Sequence, residues 1–117
     1  MNERECKERT KRLALEVIKL VELLPRSRTA DVLGKQLLRA ATSVGANYRA
    51  ACRGRSSADV IAKLSIVEEE TDETIYWMEL LQEAKLTAAA QVNHLMSEAN
   101  EILAMTVASI KTLRRRP

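Results

Sequence analysis

Basic side chains recur between Leu33 and Ser57 and again at the C-terminus, and such side chains could bind an anionic ligand. Lysine and arginine neutralise phosphates, so such a set could bind the backbone of RNA or DNA. Aromatic residues make up only 3% of the chain, so recognition would depend on backbone shape and charge rather than on base stacking. The candidate nucleic-acid-binding residues are Lys35, Arg39, Arg49, Arg53, Arg55, Lys111, Arg114, Arg115 and Arg116.

The same cations have a second interpretation, in which they pair with acids. Residues 1–57 hold 13 Lys/Arg against 6 Asp/Glu, whereas residues 58–101 hold 2 against 10. Oppositely charged halves suit helices that pair by charge, within one bundle or between copies of it. Arg39, beside an apolar stripe, could be a structural partner of Glu70 or Glu73. The terminal arginines could instead form a solvated helix end.

Catalysis and metal binding find little support in the sequence. A carboxylate-bridged di-metal bundle needs two Glu-x-x-His pairs, whereas this chain has one histidine, His94, with Gln91 three residues before it. Nucleophilic catalysis needs a base beside a Ser or Cys, and His94 lies off the apolar stripe of its helix. The acids of residues 68–73 are interpreted as a solvated or partner-paired face. We therefore expect no enzyme activity, metal site or cofactor.

The cysteines and the N-terminus predict the compartment. Cys6 and Cys52 could form a disulfide, but two cysteines without a secretory context are more often free thiols of a reducing cytoplasm. The first residues are charged and lack the apolar run of a signal peptide. No apolar run approaches the roughly 18 residues of a membrane span. We expect a cytoplasmic protein without membrane contact.

Four helices are predicted to position these residues. Hydrophobic residues make up 46% of the chain, with 3 Gly and 2 Pro, which suits packed helices. Pro25 should end the first helix, and Gly54 should end the second by turning left-handed. The predicted segments run from about Glu3 to Leu24, from a cap at Ser27 or Thr29 to Gly54, from about Ser57 to Ala84, and from a cap at Thr87 to the terminal arginines. Short corners between long helices predict one domain over residues 1–117, an all-α, antiparallel up-down-up-down four-helix bundle.

The third helix carries a second stripe beside its apolar one. This stripe keeps helical spacing but mixes acids with apolar residues, which indicates a helix buried on two sides, in its own bundle and against a partner. We therefore expect an oligomer interface formed by Ile66, Glu70, Glu73, Trp77 and Leu80.

A motif in the second helix resembles that of a known family. It reads Arg39-Ala40-Ala41-x-Ser43-Val44-x-x-Asn47, followed by Arg55 and Ser56 and then by Leu64 and Ile66. It is similar to the signature of the four-helix-bundle proteins encoded in intervening sequences of bacterial 23S ribosomal RNA genes, and the resemblance covers nearly the whole chain. Asn47 and Glu73 match the family's recurrent Asn and helix-three acid. The family usually continues its Asn with Glu-Gly, where this chain has Ala50 and Ala51.

The resemblance implies a four-helix bundle that forms a ring-like homopentamer and has no established enzymatic activity. A distant relative, the accessory protein of diversity-generating retroelements, is thought to bind nucleic acid and a reverse transcriptase. Two hypotheses follow. The chain is either a homo-oligomeric accessory factor that binds RNA or DNA, or a self-assembling module whose ligand is another protein.

Overall fold

The computed structural model describes residues 2–116, which form four helices joined by short corners. These are α1 (Glu3–Glu22), α2 (Arg28–Cys52), α3 (Ser57–Glu83) and α4 (Ala89–Arg115). Each helix packs against the next along the chain, and α1 also packs against α4. Within the described residues, no Cα atoms of a diagonal pair, α1 with α3 or α2 with α4, lie within 8 Å of each other. The four helices enclose a main apolar core, with a smaller cluster of Ala51, Leu64 and Ile110 near the end of α2, and the predicted all-α antiparallel bundle is confirmed.

The core is aliphatic, because the chain has no Phe to fill it. Leu13, Leu37, Met78 and Ile102, one from each helix, are fully buried at 0% exposure. They lie on the stripes that recur every three or four residues, which is the spacing that puts side chains on one helix face. The sequence therefore predicted the direction that each helix faces.

Serine side chains begin two of the helices. Ser27 Oγ accepts the Ala30 N–H at 3.1 Å at the start of α2, and Ser56 Oγ accepts the Asp59 N–H at 3.1 Å at the start of α3. Each bond satisfies a backbone donor that has no partner inside the helix. The Asp59 carboxylate accepts the N–H of Arg55 at 3.2 Å, which closes the α2–α3 corner.

The predicted cap of α4 is wrong. The N-cap residue is Ala88, which offers no side-chain acceptor, and the Thr87 hydroxyl donates instead to the Gln91 side chain at 2.7 Å. A run of three alanines stands at this boundary, so no side chain there specifies the first residue of the helix.

The predicted left-handed turn at Gly54 is also wrong. None of the glycines has a positive φ. Instead, a Cβ at Gly54 would lie inside van der Waals contact of the Val60 side chain and 3.2 Å from the Val60 Cα, so the tight α2–α3 corner requires glycine for space. The left-handed residue is Lys85 (φ 61°), where the Leu86 N–H reaches back to the Leu81 carbonyl at 2.9 Å. That bond is typical of a Schellman helix end.

Candidate nucleic-acid interface

Antiparallel packing gathers the candidate cations at one end of the bundle. The start of α1, the end of α2, the start of α3 and the end of α4 all meet there. We call this region, residues 3–10, 45–63 and 108–116, the basic end, because it holds eleven Lys/Arg against four Asp/Glu. The opposite end, residues 15–36 and 75–97, holds five of each sign. The middle of the bundle is acidic, with three Lys/Arg against seven Asp/Glu.

Seven of the nine candidate cations lie at the basic end. They are Arg49, Arg53, Arg55, Lys111, Arg114, Arg115 and Arg116, and all seven are exposed. Within residues 2–116 none of their side chains makes an ion pair. Lys35 is exposed too, but it lies in the first half of α2, near the opposite end. The seven cations at the basic end are thus free to meet a ligand's phosphates.

Arg39 is placed differently, in the seam between α2 and α3. Its guanidinium lies 3.2 Å from a carboxylate oxygen of Glu70 and 2.8 Å from one of Glu73. The Glu70 side chain is only 15% exposed, so its charge needs a nearby cation. This geometry matches the structural alternative for Arg39, with both partners in the same chain.

The rest of the α2 motif combines buried alanines with a partly buried polar strip. Ala40 and Ala41 have 0% exposure, and their small side chains face the core between neighbouring helices. The Asn47 amide donates to the Ser43 carbonyl at 2.9 Å and to the Ser43 hydroxyl at 2.8 Å. The polar strip of the motif therefore bonds within its own helix.

The stripe predicted as an oligomer interface is only partly available. Glu70 and Glu73 hold Arg39, and Trp77 packs against the main core. The Trp77 indole N–H is buried without a hydrogen-bond partner in the described residues, and its ring meets the half-exposed Tyr76 ring edge-on at 5.1 Å. Ile66 and Leu80 are partly buried.

Arg9, which sequence reasoning missed, joins α1 to α4. Its Nε lies 2.6 Å from Glu98 and its Nη2 lies 3.1 Å from Glu101. The bond to Glu98 is the main cause that raises the pKa of Arg9 above its ordinary value, with a smaller contribution from Glu101. The two members of this pair are 89 residues apart, so no local sequence signal marks it.

The two cysteines are free thiols, of which Cys6 is buried and Cys52 is partly buried. Burial raises the pKa of both thiols and of the Tyr48 phenol, which keeps all three protonated at neutral pH. Cys6 and Tyr48 line a groove of about 630 Å³ between α1 and α4 at the basic end. Because the thiolate is the reactive form, these cysteines are weak nucleophiles.

Catalytic and metal-binding groups do not assemble in the described part of the chain. His94 is exposed on α4. Among residues 2–116, no three His, Cys, Asp or Glu side chains lie close enough together to hold a metal ion. No helix in that range has the length and apolarity to cross a membrane.

Comparison with known proteins gives a family model and a solved structure. Residues 2–108 match the family model described as 23S rRNA-intervening sequence protein. The chain is similar to a crystal structure of a protein with unknown function from the S23 ribosomal protein family of Bacteroides thetaiotaomicron. The two share 33% identity over 95% of this chain and 99% of that one, with a TM-score of 0.87. None of the curated proteins compared with the chain matches it.

Proposed function

Because the chain belongs to the 23S rRNA-intervening sequence protein family, we propose that it is a non-enzymatic, homo-oligomeric protein that binds structured RNA or duplex DNA. Its basic end would contact the phosphates. The observation that carries the proposal is the group of seven exposed cations there without an ion-pair partner in the described residues. The number of subunits we propose is five, from the family resemblance.

The cations of the basic end exceed what the fold itself requires. Basic residues at a helix C-terminus offset the partial negative charge of the backbone carbonyls, which accounts for one or two cations at the end of α2 and of α4. Arg49, Arg53 and Arg55 lie in and just after the last turn of α2, and Lys111 and three arginines end α4. Like charges at this density repel one another unless an anion neutralises them. A phosphate backbone is such an anion.

The aromatic residues support phosphate rather than base recognition. Tyr76 and Trp77 lie in the second half of α3, away from the basic end. Tyr48 is at the basic end, but its side chain is partly buried and packs against the core. Because base stacking needs an exposed ring, we expect binding with little sequence preference and a strong dependence on salt.

Binding to an RNA hairpin and to a DNA duplex across a salt series tests this function. We expect a steep fall of log affinity with log salt for the wild-type chain. Changing Arg53, Arg55, Arg114, Arg115 and Arg116 to Gln should flatten the slope by about 4.5 for DNA if all five contact phosphates, because each contact contributes roughly 0.9. The matched control changes the five cations of the opposite end, Lys19, Arg26, Arg28, Lys35 and Lys85, to Gln.

Equal loss in both variants would show that total charge, and not the basic end, governs binding. Absence of binding even at low salt would refute the nucleic-acid function. If the chain still self-associates in that case, the second candidate is favoured, a self-assembling protein–protein interaction module. The observation behind this alternative is that Arg9 and Arg39 already form ion pairs with acids of the same bundle.

A further inference from the structure

A basic groove runs between α1 and α2. Its floor is made of small residues, among them Ala14, Gly45 and Ala46, and its volume is about 470 Å³. Lys7, Lys11 and Arg49 line it together with one acid, Glu8, whose charge is paired with Arg4 at 3.5 Å on the same helix. On the outer face of α1 beside it, Leu15 and Ile18 are 53% and 40% exposed. The α1–α2 groove thus combines positive charge, exposed apolar side chains and space for a projecting ridge.

An acidic groove runs between α3 and α4, on the opposite side of the bundle. Glu68, Glu69 and Asp72 of α3 line it together with Leu103 and Val107 of α4, around a volume of about 360 Å³. Leu103 and Val107 are partly exposed. The α3–α4 groove therefore offers the same mixture of apolar and charged side chains, with the opposite sign.

The charges of the two grooves are almost unused inside the chain. Within residues 2–116, neither Lys11, Arg49 nor any of the three acids forms an ion pair, and Lys7 pairs only with the exposed Glu3 one turn away. Lys7 and Lys11 are four residues apart on one helix, as are Glu68 and Asp72 on another. Both pairs are thus separated by about 6 Å along their axes. The spacing of the cations matches that of the acids.

We infer that the faces containing these two grooves bind each other in a head-to-tail contact between two copies of this chain. The α3 side chains Glu68, Glu69 and Asp72 of one copy project into the α1–α2 groove of the next, where Leu15 and Ile18 meet the partly exposed Leu103 and Val107 of α4. Neither face can pair with itself, because like charges would meet, so the contact is heterologous. Both halves of the interface are present on one chain, which makes a second copy the partner.

This inference rests on the self-association in the proposed function and locates it away from the stripe that contains Trp77. A charge swap tests it. One variant changes Lys7, Lys11 and Arg49 to Glu, and the other changes Glu68, Glu69 and Asp72 to Lys. Size-exclusion chromatography with light scattering should give an oligomer for the wild-type chain. Each variant alone should run at the 13.1 kDa of a single chain, with association at least a hundredfold weaker.

An equimolar mixture of the two variants should associate again, because each reversed face then meets a face of opposite charge. The two variants must alternate, so the mixture should form pairs or even-numbered assemblies and not the five-subunit ring proposed for the wild-type chain. Changing Arg26, Arg28 and Lys85 to Glu, three cations outside both grooves, should leave the oligomer intact. Far-UV circular dichroism checks that every variant keeps its helical content.

The possible outcomes distinguish failure of this interface from failure of self-association as such. A wild-type chain that stays monomeric refutes self-association and this interface together. An oligomer that survives both swaps refutes this interface alone, as does a mixture that fails to associate. Dissociation by Trp77→Asp, with both swaps tolerated, assigns the interface to the α3 stripe. Arg49 belongs both to the basic end and to the α1–α2 groove, and in this contact it faces the neighbouring copy. Nucleic-acid binding is therefore measured separately, on variants that retain all six groove charges and change only the other cations of the basic end.

Discussion

At the scale of single residues, Arg39 illustrates how packing decides between two uses of a cation. A guanidinium can bind a ligand's phosphate or a neighbouring carboxylate, and its position in the fold determines which of the two it binds. Arg39 lies opposite two acids one turn apart on α3, at 3.2 and 2.8 Å, whereas Arg53 faces no carboxylate in the described residues. We therefore regard Arg39 as part of the α2–α3 seam.

Replacing Arg39 by Gln should lower the free energy of unfolding by about 1 kcal/mol. That value is the upper end of the stabilisation measured for surface ion pairs, and it applies here because the half-exposed Arg39 lies between two acids. Chemical denaturation followed by circular dichroism measures the loss. Lys35→Gln is the control, on an exposed cation of the same helix that makes no ion pair within residues 2–116, and should change stability by less than about 0.5 kcal/mol. Equal effects would remove the structural role assigned to Arg39.

Sequence reasoning could propose the partners of Arg39 but not those of Arg9. Helices joined by a short corner are neighbours, so acids on α3 are natural candidates for a cation on α2. The α1–α4 seam closes the bundle between its first and last helices. The axial register of that seam results from the packing of all four helices, so Glu98 could not be assigned to Arg9 in advance.

At the scale of the helices, some boundaries are set by side-chain caps, and others lack a cap or depend on steric limits. Ser27 and Ser56 accept backbone N–H groups. Ser27 is one of the two residues predicted to cap α2, and Ser56 directly precedes the predicted start of α3 at about Ser57. The start of α4 was missed by one residue because Ala88 provides no such acceptor. Glycine is required at position 54 because a Cβ there would clash with the Val60 side chain, and not because of its φ angle. No local sequence pattern indicates that clash in advance.

The uncapped start of α4 can therefore be improved. Ala88 has the extended backbone (φ −79°, ψ 148°) of an N-cap residue, so Ala88→Ser should stabilise the bundle by about 1 kcal/mol. Ser56→Ala, which removes an existing cap, should destabilise it by a similar amount. Denaturation midpoints measure both changes. A destabilising Ala88→Ser would show that the start of α4 differs from the one described.

At the scale of the whole molecule, charge is sorted along a bundle about 51 Å long and 21 by 20 Å across. The sequence shows a basic first half, an acidic middle and a basic tail. Antiparallel topology superimposes the end of α2 and the end of α4, so two stretches about 60 residues apart in sequence form one basic end. Composition alone could not predict that the two basic stretches meet, whereas the antiparallel order of the helices does predict it.

Amide hydrogen exchange of the chain with and without a DNA duplex, in low salt, tests most directly whether the basic end is the binding surface. Our account predicts slower exchange at the end of α2, the start of α3 and the end of α4. It predicts no change at the opposite end of the bundle, residues 15–36 and 75–97. Protection confined to that opposite end, or no protection anywhere under conditions of binding, would contradict it.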